Sequence, residues 1–238
     1  MKFIFILFFI PFLYAGEKTV TLATTDWPPY YGKKLNNGGP IVEITKEAFK
    51  RVGIKSKVYW LPWTRAQTEV KNGKFSALLG AYKTPEREKY ALYNSTPLGF
   101  TVTGIFSINR KDKTVDKLEA LKGKRICHLR GTSVAAAFDN AKFLSKRAVG
   151  SESSCMMMVL KKRVQLVAGS QFVFGAILKK LNSKASLNPI FIFEKTPMFN
   201  AFSKKSPDYE KIKASFDKGL DLIKKDQTYE KIMKKHGF

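Results

Sequence analysis

The sequence predicts an α/β chain folded as two lobes with a ligand cleft between them, and three observations lead there. Strand-like and helix-like stretches alternate along most of the length, in the βαβ order that gives a largely parallel sheet. One long strand-like run, Gly99 to Arg110, has no helix attached and reads as the crossing between lobes. The chain has 238 residues, 44% hydrophobic and 13% aromatic, enough for one large domain or two small lobes with their own cores, and too apolar for disorder.

The elements follow in order. Lys2, the apolar run FIFILFFIPFL and the small residues around Tyr14-Ala15-Gly16 form the pattern of a secretory signal peptide, residues 1–15, cleaved after Ala15. That run is well short of the roughly 20 residues a membrane-spanning helix needs. No later run is longer, so a soluble mature protein is expected, and no nearby cysteine offers a lipid anchor. Thr19 to Thr24 alternates as a strand and ends at Asp26-Trp27-Pro28-Pro29-Tyr30-Tyr31-Gly32, where two prolines stop the ladder and hold aromatic rings on a stiff loop. Gly38-Gly39-Pro40 opens a helix through Val52, with Ile41, Ile44, Ala48 and Val52 on one face and Gly53 as its stop. Lys57 to Leu61 is the next strand, and Pro62-Trp63-Thr64-Arg65 turns into a helix that ends at Asn72-Gly73.

Ala77-Leu78-Leu79-Gly80 then reads as a buried strand, followed at Thr84-Pro85-Glu86-Arg87 by a helix start. The Thr84 hydroxyl can cap that start, and Pro85 needs no amide partner in a first turn. Arg87 therefore stands on a rigid element just past a strand end. Its planar fork of donors matches the two oxygens of a carboxylate, although a plain surface arginine would look the same in sequence.

After the crossing come a short helix at Val115 to Leu121 and strands at Lys124–Leu129, Lys146–Val149, Val164–Ala168 and Pro189–Phe193. The helices between them are expected at Val134–Leu144, Ser154–Lys162 and Gln171–Leu181, and the tail from Pro207 is two helices broken near Asp226-Gln227-Thr228. Met156-Met157-Met158 reads as core filling. Gly131-Thr132-Ser133, a glycine turn before a helix, could offer amides and hydroxyls to an anion or serve only as a cap. The expected division is residues 16–103 for the first part of lobe 1, 104–196 for lobe 2, and 197–238 for the return to lobe 1.

Lys and Arg number 43 against 19 Asp and Glu, a net charge of +24. Such an excess invites a polyanion partner, but the lysines are spread in pairs such as Lys161-Lys162 and Lys204-Lys205, as solvated faces are, and no nucleic-acid partner is expected. Cys127 and Cys155 are the only cysteines, and they are either one bridge or two buried thiols. His128 and His236 complete no metal-binding spacing, so no metal or cofactor is expected. Cys127 and His128 are neighbours on a strand, point to opposite faces and cannot form a nucleophile pair.

Several short motifs now stand in a specific order: Trp27-Pro28-Pro29-Tyr30; Asn72-Gly73-Lys74-Phe75 before Thr84-Pro85-Glu86-Arg87; Asn94-Ser95-Thr96-Pro97; Leu121-Lys122-Gly123-Lys124-Arg125; Arg130-Gly131-Thr132-Ser133; and Thr228-Tyr229-Glu230-Lys231-Ile232-Met233. In this order the chain resembles the bacterial extracellular solute-binding proteins of family 3, the periplasmic amino-acid-binding components of ABC importers, over nearly the entire mature length. The resemblance implies a two-lobed fold of the type II periplasmic-binding-protein kind, exported to the periplasm. It implies a monomer that closes on one small carboxylate or amino acid and presents it to a membrane permease, with no catalysis. It further implies Trp27 and Trp63 as aromatic walls, with Tyr30 on the same loop, and Gly80, Ala81 and Tyr82 as backbone and hydroxyl contacts. Arg87 would grip the ligand carboxylate, with Thr132 and Ser133 approaching it from the second lobe.

One departure bears on the ligand. Where amino-acid binders of this family carry an aspartate for the ligand ammonium, this chain has Ser170. A hydroxyl cannot balance a buried cation. Either Asp26, Glu86 or another carboxylate substitutes, or the ligand has no free α-ammonium. Lys83, Arg65 and Arg130 add positive charge near the expected cleft and bias it toward anions. Two alternatives share the scaffold: a ligand-sensing receptor subunit, and a small dehydratase or lyase, which would need a positioned acid or base that the segments assigned to the cleft do not display.

Overall fold

A computed structural model of the protein describes residues 19–238, so the expected signal peptide lies outside the described residues. Among the described residues there are nine strands: β1 (Val20–Thr24), β2 (Ser56–Trp60), β3 (Ala77–Ala81), β4 (Ala91–Tyr93), β5 (Gly99–Ser107), β6 (Arg125–Leu129), β7 (Ser145–Val149), β8 (Leu166–Ser170) and β9 (Asn188–Ser203). Eight helices accompany them: α1 (Pro40–Arg51), α2 (Trp63–Lys71), α3 (Pro85–Glu88), α4 (Ala136–Asn140), α5 (Glu152–Leu160), α6 (Gln171–Lys180), α7 (Tyr209–Lys225) and α8 (Thr228–Lys235). No helix among the described residues is long and apolar enough to cross a membrane.

The strands run in the order β2-β1-β3-β9-β5-β8-β6-β7, with β4 on β9. Within each half the pairs are parallel, β1 with β2 and β3, and β6 with β7 and β8, as βαβ order requires. The halves are joined by an antiparallel ribbon. β5 pairs with β9 from Ser107↔Asn188 to Gly99↔Met198, and the remainder of β9 pairs with β3 from Ala81↔Phe199 to Ala77↔Phe202. The crossing is thus made by two strands. Expected as a five-residue strand ending at Phe193, β9 runs for 16 residues.

Each half-sheet is covered on both faces, and the period-2 alternation of its strands shows how. In the first half Leu22, Ala77 and Leu79 face a cluster with Ile41, Phe49 and Phe216, while Ala23 and Leu78 face Trp63, Ala66 and Val70. In the second, Ile105, Ile126 and Leu166 face Phe138, while Phe106, Cys127 and Val167 face Met156 and Phe174. The helix expected to run from Val134 to Leu144 is confined to α4, with only Phe138 of that helix buried. Of the three methionines, Met156 is buried and Met158 packs partly, but Met157 is exposed.

Cys127 on β6 and Cys155 on α5 are bridged, their Cα atoms 5.5 Å apart. The alternative of two free thiols is therefore not the one adopted. His128 turns to the opposite face, against Phe138 at 5.6 Å between ring centroids. At the C-terminus α7 and α8 pack against α1, and Lys235 and His236 both reach Glu43 at 2.7 Å.

Candidate binding cleft

Arg87 is held as its local sequence dictates. Thr84 caps α3 by accepting from the Arg87 amide at 3.3 Å, and Pro85 occupies the first turn. The side chain does not go to solvent. It is 4% exposed, donating from Nη1 to the Tyr82 carbonyl at 2.8 Å and from Nε and Nη2 to Gln67 Oε1 at 3.1 and 2.9 Å. Its guanidinium lies 5.4 Å from the Trp63 ring centroid. Both acceptors, the Tyr82 carbonyl and the Gln67 amide, are neutral, and among the described residues no Asp or Glu forms an ion pair with it. Glu88, close in sequence, pairs with Lys83 at 3.1 Å instead. A buried cation held only by neutral groups carries a desolvation cost that an anion beside it would offset.

The aromatic walls come from the loop after β1. Trp27 exchanges backbone bonds with Tyr31 and stacks on Tyr30 at 5.1 Å and 27°. Tyr82 meets the Trp27 ring edge-on at 5.9 Å. Gly80 sits where the β3–β9 register shifts, at φ +75°, with its carbonyl accepting from Tyr31 Oη at 3.1 Å. A Cβ there would lie 2.4 Å from Tyr31 Cε1. Only glycine permits both the backbone angle and the ring so close.

A cavity of about 20 Å³, little more than the space of one water, lies between Trp27, Trp63, Tyr82 and Arg87 on one side and Leu129 and Thr132 on the other. Two polar atoms in its walls, Trp63 Nε1 and Thr132 Oγ1, are buried without a hydrogen-bond partner. Such groups are rare in folded proteins and are ordinarily satisfied by water or a ligand.

The second lobe reaches this space through the turn after β6. Gly131, at φ +70°, brings its carbonyl to Gln67 Nε2 at 3.0 Å, and a Cβ there would meet Thr64 Cγ2 at 2.8 Å. Gln67 thus joins the Arg87 fork to the second lobe with one amide. An adjoining cavity of about 10 Å³ shares Trp27, Tyr82 and Thr132 and is bordered by Ser133, Glu152 and Ser170. Glu152, the first residue of α5 after its Ser151 cap, accepts from Trp27 Nε1 at 2.8 Å, a second tie between lobes. Burial pushes the Glu152 carboxyl above the usual range, only partly offset by its own amide and the Trp27 donor.

Of the residues expected at the site, Trp27, Trp63, Gly80, Tyr82, Arg87 and Thr132 surround the first volume, and Ser133 and Ser170 border the second. Ser133 Oγ donates to Asp139 at 2.5 Å, and Ser170 Oγ lies 2.6 Å from Thr101 Oγ1 while capping α6 through the Val173 amide at 3.4 Å. Tyr30 and Ala81 border neither volume. Tyr30 lies behind Trp27 with Phe172 and Phe238, its phenol pushed up to about 12 by burial despite the Thr101 and Ser170 hydroxyls. Its neighbour Tyr31 borders the first volume in its place. The reason is local: the Trp27–Tyr31 bridge turns these adjacent tyrosines to opposite sides. Ala81 is buried in the core beside Trp63 and Ala66. Asp26 and Glu86, expected as possible counter-charges, are exposed and border neither small cavity, but Glu86 and Lys83 line a wider cleft space of about 570 Å³ together with Arg87, Thr132 and Ser133; Asp26, Arg65 and Arg130 are exposed outside all three.

Sequence reasoning missed Tyr31, Gln67 and Glu152. For Glu152 a signal existed in Ser151-Glu152-Ser153-Ser154, a cap followed by an acid in the first turn, but nothing local showed that a tryptophan from the other lobe would meet it.

The family model of the bacterial extracellular solute-binding proteins, family 3, matches residues 20–238. Among curated relatives, the probable amino-acid-binding protein YxeM of Bacillus subtilis (strain 168) is 23% identical over 201 residues, covering 82% of this chain and 74% of that one. Among solved structures, an ancestral arginine-binding protein bound to arginine superposes with a TM-score of 0.78 at 23% identity, covering 92% of this chain and 98% of that one. A histidine kinase sensor domain with similarity to periplasmic binding proteins superposes at 0.77 with 19% identity, covering 93% and 96%. At these identities the solved structures establish the two-lobed fold and leave the ligand to be argued from the cleft.

Proposed function

The chain belongs to the bacterial extracellular solute-binding proteins of family 3, and on that premise we propose that it binds an amino acid between its lobes and delivers it to the permease of an ABC importer. The observation that carries this reading is Arg87, a buried guanidinium with no carboxylate partner among the described residues, set in a volume walled by tryptophans. A ligand carboxylate is the group that fits there, taking charge-assisted bonds from Arg87. Thr132 Oγ1 and Trp63 Nε1 supply further polar contacts from two sides of the volume. Contacts from both lobes favour the closed arrangement over an open one, so affinity and closure are linked. The permease recognises the closed form, in keeping with export through a cleaved signal peptide and action as a monomer. The reading is of a receptor, with no chemical step in the cleft.

The test is a thermal-shift screen of the mature protein against the twenty standard L-amino acids, their deaminated analogues, dicarboxylates and small peptides. A ligand that binds only the folded protein raises its melting temperature, by an amount corresponding to about 2.7 kcal/mol at a hundred times Kd. We expect a shift with at least one amino acid that is lost in Arg87→Ala. Equal shifts in both proteins would contradict the reading.

A further inference from the structure

We infer that Glu152 receives the cationic end of the ligand, so that the cleft selects a zwitterion over the corresponding simple carboxylic acid. This rests on the reading that Arg87 takes the ligand carboxylate. The two volumes are contiguous through Trp27, Tyr82 and Thr132, with Arg87 bordering the first and Glu152 the second. Glu152 is the one carboxylate among the described residues that borders either of them. No Lys, Arg or His among the described residues forms an ion pair with it.

The two small cavities are thus bordered by one cation and one anion, neither in an ion pair among the described residues, while the wider cleft space that Arg87 and Thr132 also line adds only exposed charges, Lys83, Glu86, Asp139 and Glu194. A small molecule carrying both charges satisfies both groups at once. A carboxylic acid without the amine satisfies only Arg87.

The Trp27 indole uses one of the acceptor positions on the Glu152 carboxylate, which has about four in all. Room remains for an ammonium donor, and the indole bond fixes the direction in which the carboxylate is presented. Three constraints hold the residue in place: the Ser151 cap at the start of α5, the Trp27 bond, and the disulfide from Cys155, on the first turn of the same helix, to β6. Ser170 is a poorer candidate for the same task. Its hydroxyl is neutral and already engaged with Thr101 and the Val173 amide. The raised proton affinity of Glu152 supports the assignment, because burial has removed water without supplying a counter-charge.

The test compares wild type with Glu152→Gln, which keeps the side-chain length and the oxygen that accepts from Trp27 but removes the charge. Calorimetry is run with the twenty standard L-amino acids and with the des-amino analogue of the tightest binder. Melting temperature verifies that the variant folds. We expect Glu152→Gln to bind the amino acid at least tenfold more weakly, with the des-amino acid unaffected. Wild-type affinity for the amino acid should also rise with pH as Glu152 ionises, a slope the variant lacks. Amino-acid affinity unchanged in Glu152→Gln, or wild-type binding of the des-amino acid alone, would overturn the assignment while leaving Arg87 as the anion site. Binding of neither class would overturn both readings together.

Discussion

Replacing Gln67 with glutamate is the most informative change in the cleft, because it sets a negative charge beside Arg87 without changing side-chain size; it also removes the Nε2 donor to the Gly131 carbonyl, a loss that a leucine control shares. Gln67 Oε1 already accepts from Arg87 Nε and Nη2 at 3.1 and 2.9 Å. In Gln67→Glu the same oxygen belongs to an anion, and Arg87 acquires from the protein the partner it otherwise takes from the ligand. A ligand carboxylate on the remaining face of the guanidinium would stand roughly 5 Å from the new one. At an effective dielectric constant near 20 that repulsion is about 3 kcal/mol, or roughly a hundredfold in Kd. Titration calorimetry with the tightest-binding amino acid measures it. Gln67→Leu is the control, since it removes the acceptor without adding charge. It leaves buried donors unmatched and lowers stability by about 1–3 kcal/mol, while the ligand carboxylate retains its place. Binding by Gln67→Glu within threefold of wild type would refute the idea that the anion sits on Arg87.

Other outcomes follow from the same structure. The Cys127–Cys155 bridge closes a separation of 28 residues, so replacing both cysteines with alanine should cost about 3 kcal/mol and lower the melting temperature by roughly 6–12 °C; calorimetry giving an unchanged melting temperature would contradict this. Gly80→Ala places a Cβ 2.4 Å from Tyr31 Cε1 at φ +75° and should destabilise by about 1–3 kcal/mol, with weakened ligand affinity because Tyr31 must move; chemical denaturation and calorimetry read the two effects. Burial alone would raise the Glu43 carboxyl, but hydrogen bonds from Lys235, His236 and Asn37 hold it below its ordinary 4.5. Its contribution to stability is therefore present above that pH and lost as pH falls through the lowered folded-state value. Glu43→Gln should flatten the acid side of the stability–pH curve, and an unchanged curve would show that the C-terminal tie contributes nothing.

The first lobe was the more legible half of the chain because its signals are local. Gly39-Pro40 and Gly53 bracket α1, and Thr84-Pro85 sets the start of α3, each by backbone chemistry that neighbouring residues decide. From sequence β9 reads as shorter than it is because Pro189, Pro197 and the polar Glu194-Lys195-Thr196 interrupt the alternation that marks a strand. Its continuity comes from β5, β3 and β4, far away in sequence. The helix around Phe138 reads as longer in sequence than it is because residues 134–144 have mixed apolar character, while the chain leaves the helix after Asn140 to enter β7. In the cleft, Arg87, Trp27 and Trp63 were found from rigid-element and loop chemistry, but Gln67 and Glu152 acquire meaning only by meeting the opposite lobe. A residue whose partner lies 125 positions away carries no local trace of that partner.

A crystal structure of the mature protein with the tightest-binding amino acid tests the central claim most directly. The ligand carboxylate should lie about 2.7–2.9 Å from the Arg87 guanidinium nitrogens, with its ammonium at Glu152 and its side chain between Trp27 and Trp63. Ligand density away from Arg87, for example in the groove of the second lobe lined by Ile108, Lys113 and Lys162, would contradict it.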